Sequence, residues 1–236
     1  MFPAIVAYNA PIQMSTDILE SLNPSQREAV ETTEGPVLII AGPGSGKTRV
    51  ITHRVAHLVM SRSISPWRVV AVTFTNRAAR EMKQRLVSLL GEPAREVAAS
   101  TFHSLCASLL RRDGDRVGLS RNFAIFDDAD QMGAVKQSML DAAVDPKRYK
   151  VRAVLASISN AKSQLITADT FGLKRENYFD EIVHRVYERY EQILAQSSAL
   201  DFDDLLLKAC LMLKHVPDVA EKYQGRFAYI MVDEFQ

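Results

Sequence analysis

Cysteine is scarce in this 236-residue sequence: Cys106 and Cys210 stand far apart, with no CxxC spacing. That pattern argues against a cysteine-built zinc or iron–sulfur site and fits a reducing, cytoplasmic compartment. No apolar run approaches the ~18 residues that span a bilayer, so no membrane association is expected. Charge of one sign is not in excess either: 29 Lys and Arg face 28 Asp and Glu, a net charge of +1. A nucleic-acid reading must therefore rest on local features, because a basic groove can sit on a neutral protein. The first fourteen residues, MFPAIVAYNAPIQM, lack a basic start and a clear cleavage site, so they read as a tail with Met14 as an alternative start, not as a signal peptide. What is present, 47% hydrophobic and 24% charged residues, is the make-up of a soluble globular chain. The length allows one large domain or two small ones.

The first half alternates short apolar runs with helical patterns. Val37–Ala41 (VLIIA) reads as a buried strand, followed by a Gly-rich turn and a helix from about Lys47 to Met60. RVVAVTF, ending at Phe74, reads as the next strand. Thr75 and Asn76 can cap a helix that puts Ala78, Met82, Leu86 and Leu89 on one face. A third strand near 97–102 precedes a helix through Leu109. Alternation of this kind predicts a parallel sheet covered by helices. From about 111 to 200 the helical period dominates, clearest in Ile182, Val183, Val186, Tyr187, Tyr190, Ile193 and Leu194, with Arg185, Glu188, Arg189 and Glu191 off the stripe. Asp127, Asp128 and Asp130 read as a cap and first-turn acids. Strand character returns in FAYIMV (Phe227–Val232), directly before Asp233 and Glu234. The expected architecture is an α/β domain, residues 1–110 and 201–236, interrupted by a helical domain, residues 111–200.

The strongest local signal is AGPGSGKT, Ala41 to Thr48. Glycines at 42, 44 and 46 let successive backbone N–H groups curl round a phosphate, and Pro43 and Ser45 complete the turn. The helix that follows points its positive end at the same phosphates. Lys47 can reach the β- and γ-phosphates, and the Thr48 hydroxyl can face Mg²⁺. The strict GxxxxGK[ST] pattern has glycine where this chain has Ala41. A phosphate cradle also needs a metal carboxylate. Asp233 and Glu234 end an apolar strand, where ligands of open α/β sheets gather. Asp233 would hold the Mg²⁺ shell, and Glu234 would polarise the attacking water. No NKxD-type guanine reader is present. His53 and His57 lie four apart on one helix face, but position 54 is Arg54, not the glutamate of a metalloprotease.

Several segments together resemble the UvrD/Rep/PcrA branch of superfamily 1 helicases: LNPSQREAV (Leu22–Val30), AGPGSGKTRV, VVAVTFTNRAAREM, STFHSLCASLLRR, LDFDDLL and the terminal VDEFQ, in the family's order. The resemblance runs from about Leu22 to Gln236. It implies a RecA-like P-loop motor domain with an inserted all-helical domain, and ATP hydrolysis coupled to 3′→5′ movement on single-stranded DNA, in the service of DNA repair or DNA replication. It implies that Gln26 reads adenine, that Arg49 lies near the nucleotide, and that Phe74 and Phe202 contact bases. Thr75, Asn76, Thr101 and His103 would lie near the strand's backbone, at single-stranded DNA or a single-strand/duplex junction. An amide can donate to and accept from adenine together, and aromatic faces stack on any base at ~1–3 kcal/mol each.

On the residues alone, Phe74 reads as strand-end core, Phe202 as helix packing and His103 as a structural histidine. The family's second motor domain, with its arginine fingers, would lie beyond Gln236, as would the strand that separates the phosphate-turn strand from the DE strand. The sheet of this chain should then show a central gap, a collapse of FAYIMV toward VLIIA, or an exposed apolar edge. The rival reading is a module that binds ATP or single-stranded DNA without turnover.

Overall fold

Val69–Thr73 (β1) is a run of β-branched residues and alanine, all five buried. Burial on both faces is what a central strand of a parallel sheet requires. The computed structural model, which describes residues 18–173 and 177–234, places β1 between Ala98–Thr101 (β2) and Tyr229–Val232 (β5), both parallel to it. Thr73 pairs with Thr101 and Val72 with Val232, so the three strands end at one edge of the sheet. The N-terminal tail, residues 1–14, and with it the question of Met14, lies outside the described residues.

Three helices cover the sheet unit. Pro24–Glu31 (α1) starts from Asn23, whose side chain accepts from the Gln26 amide while Gln26 accepts from the Asn23 amide. Lys47–Met60 (α2) starts at Gly46, and Asn76–Leu90 (α3) is capped by Thr75. A cap of that kind contributes ~1 kcal/mol. Leu58 of α2 and Met82 and Leu86 of α3 have no exposed surface and pack with Val69, Ala71, Ala99 and Met231. Each such side chain stabilises by roughly 1.5–3 kcal/mol.

Val37–Ala41 does not form the expected strand. Residues 36–42 carry no strand pairing, and Leu38 and Ile40 are 71% and 90% exposed. A strand needs a ladder partner for its N–H and C=O groups. Here β5 pairs with β1, while an open cleft of about 1010 Å³ lies between β5 and residues 37–41. The sheet thus shows the gap and the exposed apolar edge, where Ile230 is 65% exposed; it does not collapse.

The chain divides into two compact units: residues up to Phe102 together with those from Tyr223 onward, and His103–Lys222. The breaks expected from the sequence follow residues 110 and 200. The second unit contains most of Phe102–Asp113 (α4), then Ala124–Ile125 (β3), Asp128–Asp141 (α5), Val151–Ser163 (α6), Ala168–Gly172 (α7), Tyr178–Gln196 (α8), Ala199–Leu200 (β4), Phe202–His215 (α9) and the start of Pro217–Arg226 (α10). Its core is the α8 stripe: Ile182, Val183, Val186, Tyr187, Tyr190 and Leu194 are buried against Val135, Met139, Val154 and Ile158. Asp127 caps α5 through a capping box with Asp130, and Asp128 lies in the first turn. A two-residue parallel pairing joins β3 to β4.

Candidate functional site

The phosphate turn is shaped by two left-handed glycines, Gly44 (φ +75°) and Gly46 (φ +87°). Gly46 is doubly constrained: a Cβ there would sit 3.0 Å from the Gln26 amide nitrogen. Gln26 is the reason for the crowding. Its Nε2 donates to the Ser45 carbonyl at 2.9 Å, and its Oε1 accepts from the Asn23 amide at 3.2 Å. Arg54 of α2 ties the far end of α1 down, donating to the carbonyls of Ala29 and Thr32. Helix α1 is therefore fastened both to the turn and to the helix that follows it.

Lys47, at the first position of α2, donates to the carbonyls of Ala41 and Gly42 at 3.1 and 3.2 Å, so its ammonium lies over the turn. Gly42, Pro43, Gly44 and Ser45 are exposed. Thr48 donates from Oγ1 to Asp233 Oδ2 at 3.1 Å, across 185 residues of sequence. Asp233 is 4% exposed, and its own amide donates to the Val72 carbonyl of β1 at 2.8 Å. Glu234 follows in the left-handed region, φ +60°, a backbone conformation that costs a non-glycine residue energy and recurs at functional sites. Arg49 lies apart from the cleft that Lys47 lines; it borders a separate cavity of about 500 Å³ with His53, Glu81 and Arg85.

The residue set fits a hard divalent cation. A hydroxyl and a carboxylate already meet at 3.1 Å, and Mg²⁺ takes one or two carboxylates together with phosphate oxygens and water. Among the described residues no group of three His, Cys, Asp or Glu forms a metal cluster, His53 and His57 included.

At the same sheet edge stand the residues that follow β1 and β2. Phe74 is 68% exposed, which removes the core reading, and it meets Phe102 edge-to-face at 6.3 Å. Thr75 accepts from the Ala78 amide, Asn76 opens α3, and Thr101 is buried at the end of β2. In the helical unit, Phe202 is 49% exposed at the first position of α9, and His103 meets it edge-to-face at 5.7 Å. Phe202 is therefore half-exposed, with His103 packed on its ring.

The sequence did not reveal what lies behind Phe202. Lys162 of α6 is fully buried among three carboxylates: Asp201 at 2.7 Å, Glu191 at 2.7 Å and Asp204 at 3.0 Å. Lys208 pairs with Glu191 at 3.0 Å, and the Tyr190 hydroxyl donates to Asp201 at 2.9 Å. Burial works to lower the Lys162 pKa, but Asp204, Asp201 and Glu191 outweigh it and hold the ammonium well above the ordinary lysine value. A faint signal existed: Val154, Ile158 and Lys162 fall on one helical row, which puts a lysine on an apolar face. Glu191, read as off the stripe, is one of its partners.

A parallel sheet with a glycine cradle, a lysine over it and a strand-end carboxylate on the neighbouring threonine is the arrangement of a RecA-like nucleotide-binding motor domain. Residues 22–236 match the family described as UvrD/REP helicase N-terminal domain, and the chain belongs to that family. It is 47% identical over 223 residues to the ATP-dependent DNA helicase PcrA of Bacillus subtilis (strain 168), covering 94% of this chain and 30% of that protein. It is 46% identical over 219 residues to PcrA of Staphylococcus aureus (strain Mu50), covering 93% of this chain and 30% of the relative. The chain thus spans about 30% of the length of the curated relatives it matches. Among the described residues no helix is long and apolar enough to cross a membrane.

Proposed function

We propose that this chain is the first motor domain, with its inserted helical unit, of an ATP-dependent DNA helicase that moves 3′→5′ on single-stranded DNA. The observation that carries the reading is the Thr48–Asp233 hydrogen bond, which joins the phosphate turn to the strand-end carboxylates beside exposed Phe74. The backbone of Gly42 to Thr48 cradles the triphosphate, and Lys47 swings from its own turn's carbonyls to the β- and γ-phosphates. Thr48 and Asp233 would hold Mg²⁺, which would neutralise charge on the phosphates. Glu234 accepts the proton of the attacking water. Arg49, which directly follows Thr48, would approach the nucleotide from outside the cleft that Lys47 lines. Phe74 and Phe202 stack on bases, and Thr75, Asn76, Thr101 and His103 contact the strand's backbone. The partners are single-stranded DNA, a single-strand/duplex junction and a second motor domain of the same protein, acting in the cytoplasm.

The test is DNA-stimulated ATP hydrolysis by a full-length protein carrying this sequence. In it, Phe74→Ala raises the concentration of single-stranded DNA needed for half-maximal stimulation by about 5- to 100-fold, the worth of one base stack. Unchanged DNA affinity would leave Phe74 without this role.

Gln26 sets nucleotide choice. One hydrogen of its amide goes to Ser45, leaving the second hydrogen and an oxygen lone pair for adenine. ATP should bind about tenfold or more tightly than GTP, and Gln26→Ala should narrow that ratio. A titration giving equal affinities for the two nucleotides in the parent protein counts against the assignment.

A further inference from the structure

The buried cluster around Lys162 has no part in nucleotide chemistry, yet three carboxylates and two ammonium groups are gathered there within one unit. Taking an ammonium out of water is costly, and well-packed apolar residues often serve stability as well or better than a buried ion pair. Its location is informative. Asp201 caps α9: Oδ1 accepts from the Asp204 amide at 2.7 Å, while Oδ2 accepts from Lys162 at 2.7 Å and from Tyr190 at 2.9 Å. Asp204 closes the box, accepting from the Asp201 amide and facing Lys162. Immediately before, Ala199 and Leu200 are pinned to Ala124 and Ile125. Phe202 sits between these fixed points and projects its ring into solvent beside His103.

An exposed capping box needs no buried lysine behind it; Asp127 and Asp130 form one on α5 without any. The two boxes differ in burial, Asp201 and Asp204 being enclosed where Asp127 and Asp130 are exposed, and in the aromatic ring held at the first position of α9 beside His103. A ring that must meet a base gains affinity when it is already held in place, because less freedom is lost on binding. We propose that Lys162 is a positioning residue for single-stranded DNA: through Asp201 and Asp204 it locks the start of α9 and so fixes the ring of Phe202 at the angle at which a base stacks. This rests on the reading of Phe202 as a DNA contact.

The experiment is a double-mutant cycle in the full-length protein. Lys162→Met alone strands three carboxylates, so the informative variant is Lys162→Met with Glu191→Gln and Asp204→Asn, which removes three of the five charges, leaves Lys208 to balance Asp201, and keeps Asp201 as the cap. We expect this variant to melt within a few degrees of the parent and to keep its DNA-free ATP hydrolysis. Its half-saturating concentration of oligo(dT) should rise about 5- to 10-fold, with the turnover at saturating DNA held within about twofold. Placed in a Phe202→Ala background, the same three changes should add nothing, because the ring they position is gone. Lys162→Arg alone, which keeps the charge, should recover most of the affinity.

Two outcomes overturn the proposal while leaving Phe202 in its role. One is an unchanged DNA affinity in the triple variant when Phe202→Ala alone weakens binding. The other is an effect that adds fully to that of Phe202→Ala. If Phe202→Ala leaves DNA affinity unchanged, the reading of Phe202 falls, and the positioning role falls with it. If the triple variant does not fold, Lys162→Gln with Asp204→Asn decides: an affinity loss seen with Phe202 present and absent in the Phe202→Ala background supports positioning, and equal loss in both backgrounds, or no loss in either, refutes it.

Discussion

A full-length protein carrying Glu234→Gln should hydrolyse ATP about 10²–10⁴-fold more slowly at saturating DNA, the range for losing a positioned general base. Nucleotide affinity should change little, because the substitution keeps the side chain's size and leaves Thr48, Asp233 and the turn intact. The geometry behind this is the left-handed backbone at Glu234, φ +60°. An ordinary extended continuation of β5 would carry the side chain on along the strand direction. The turn at Glu234 instead comes directly after Asp233, whose amide donates to the Val72 carbonyl and whose carboxylate accepts from the Thr48 hydroxyl. The measurement is single-turnover hydrolysis, which isolates the chemical step from product release. A rate within about fivefold of the parent would assign the water to another residue.

Purified by itself, the 236-residue chain should turn over ATP at least about 10³-fold more slowly than a full-length protein that carries it, and should not unwind DNA. Charge building on the transferred phosphoryl group needs cations from both sides, and an arginine supplied from a second element is worth ~10³–10⁵ in rate. Here Lys47 lies over the turn, and Arg49 borders a different cavity. Movement along a strand also needs two bodies that close and open around the nucleotide. The sheet edge adds a physical handicap. Leu38, Ile40 and Ile230 face solvent across an open cleft, and unpaired strand edges with apolar side chains invite association. Concentration-dependent light scattering together with negligible DNA-stimulated turnover is the expected behaviour. A monomer that melts cooperatively and turns over at ~1–10³ s⁻¹ would show both halves of this expectation to be wrong.

Local patterns in the sequence were informative wherever one segment settles its own structure. Helix α2 begins and ends at Lys47 and Met60 as read, because a glycine turn starts it and periodicity carries it. The caps at Thr75 and Asp127 are chemical signatures with local causes. Pairing is a different matter. Val37–Ala41 has the composition of a buried strand, but composition supplies no ladder partner, and the backbone stays unpaired with its side chains exposed. The same holds for exposure. Phe74 and Phe202 look like core residues until their surroundings are known, because burial depends on what packs alongside. Lys162 was invisible for a third reason: its partners come from α8 and from the start of α9, and a charge reads as surface unless its neighbours are known.

The bond from Gln26 to Ser45 has a thermodynamic corollary. The side chain proposed to read the base is also a structural strut of the loop that grips the phosphates. Whatever the base does to Gln26 is felt at Ser45, and by reciprocity whatever a phosphate does to the turn alters the affinity for the base. Inorganic triphosphate and free adenosine should therefore bind as a cooperative pair, each sharpening the other, and a Gln26→Ala protein should treat them as strangers.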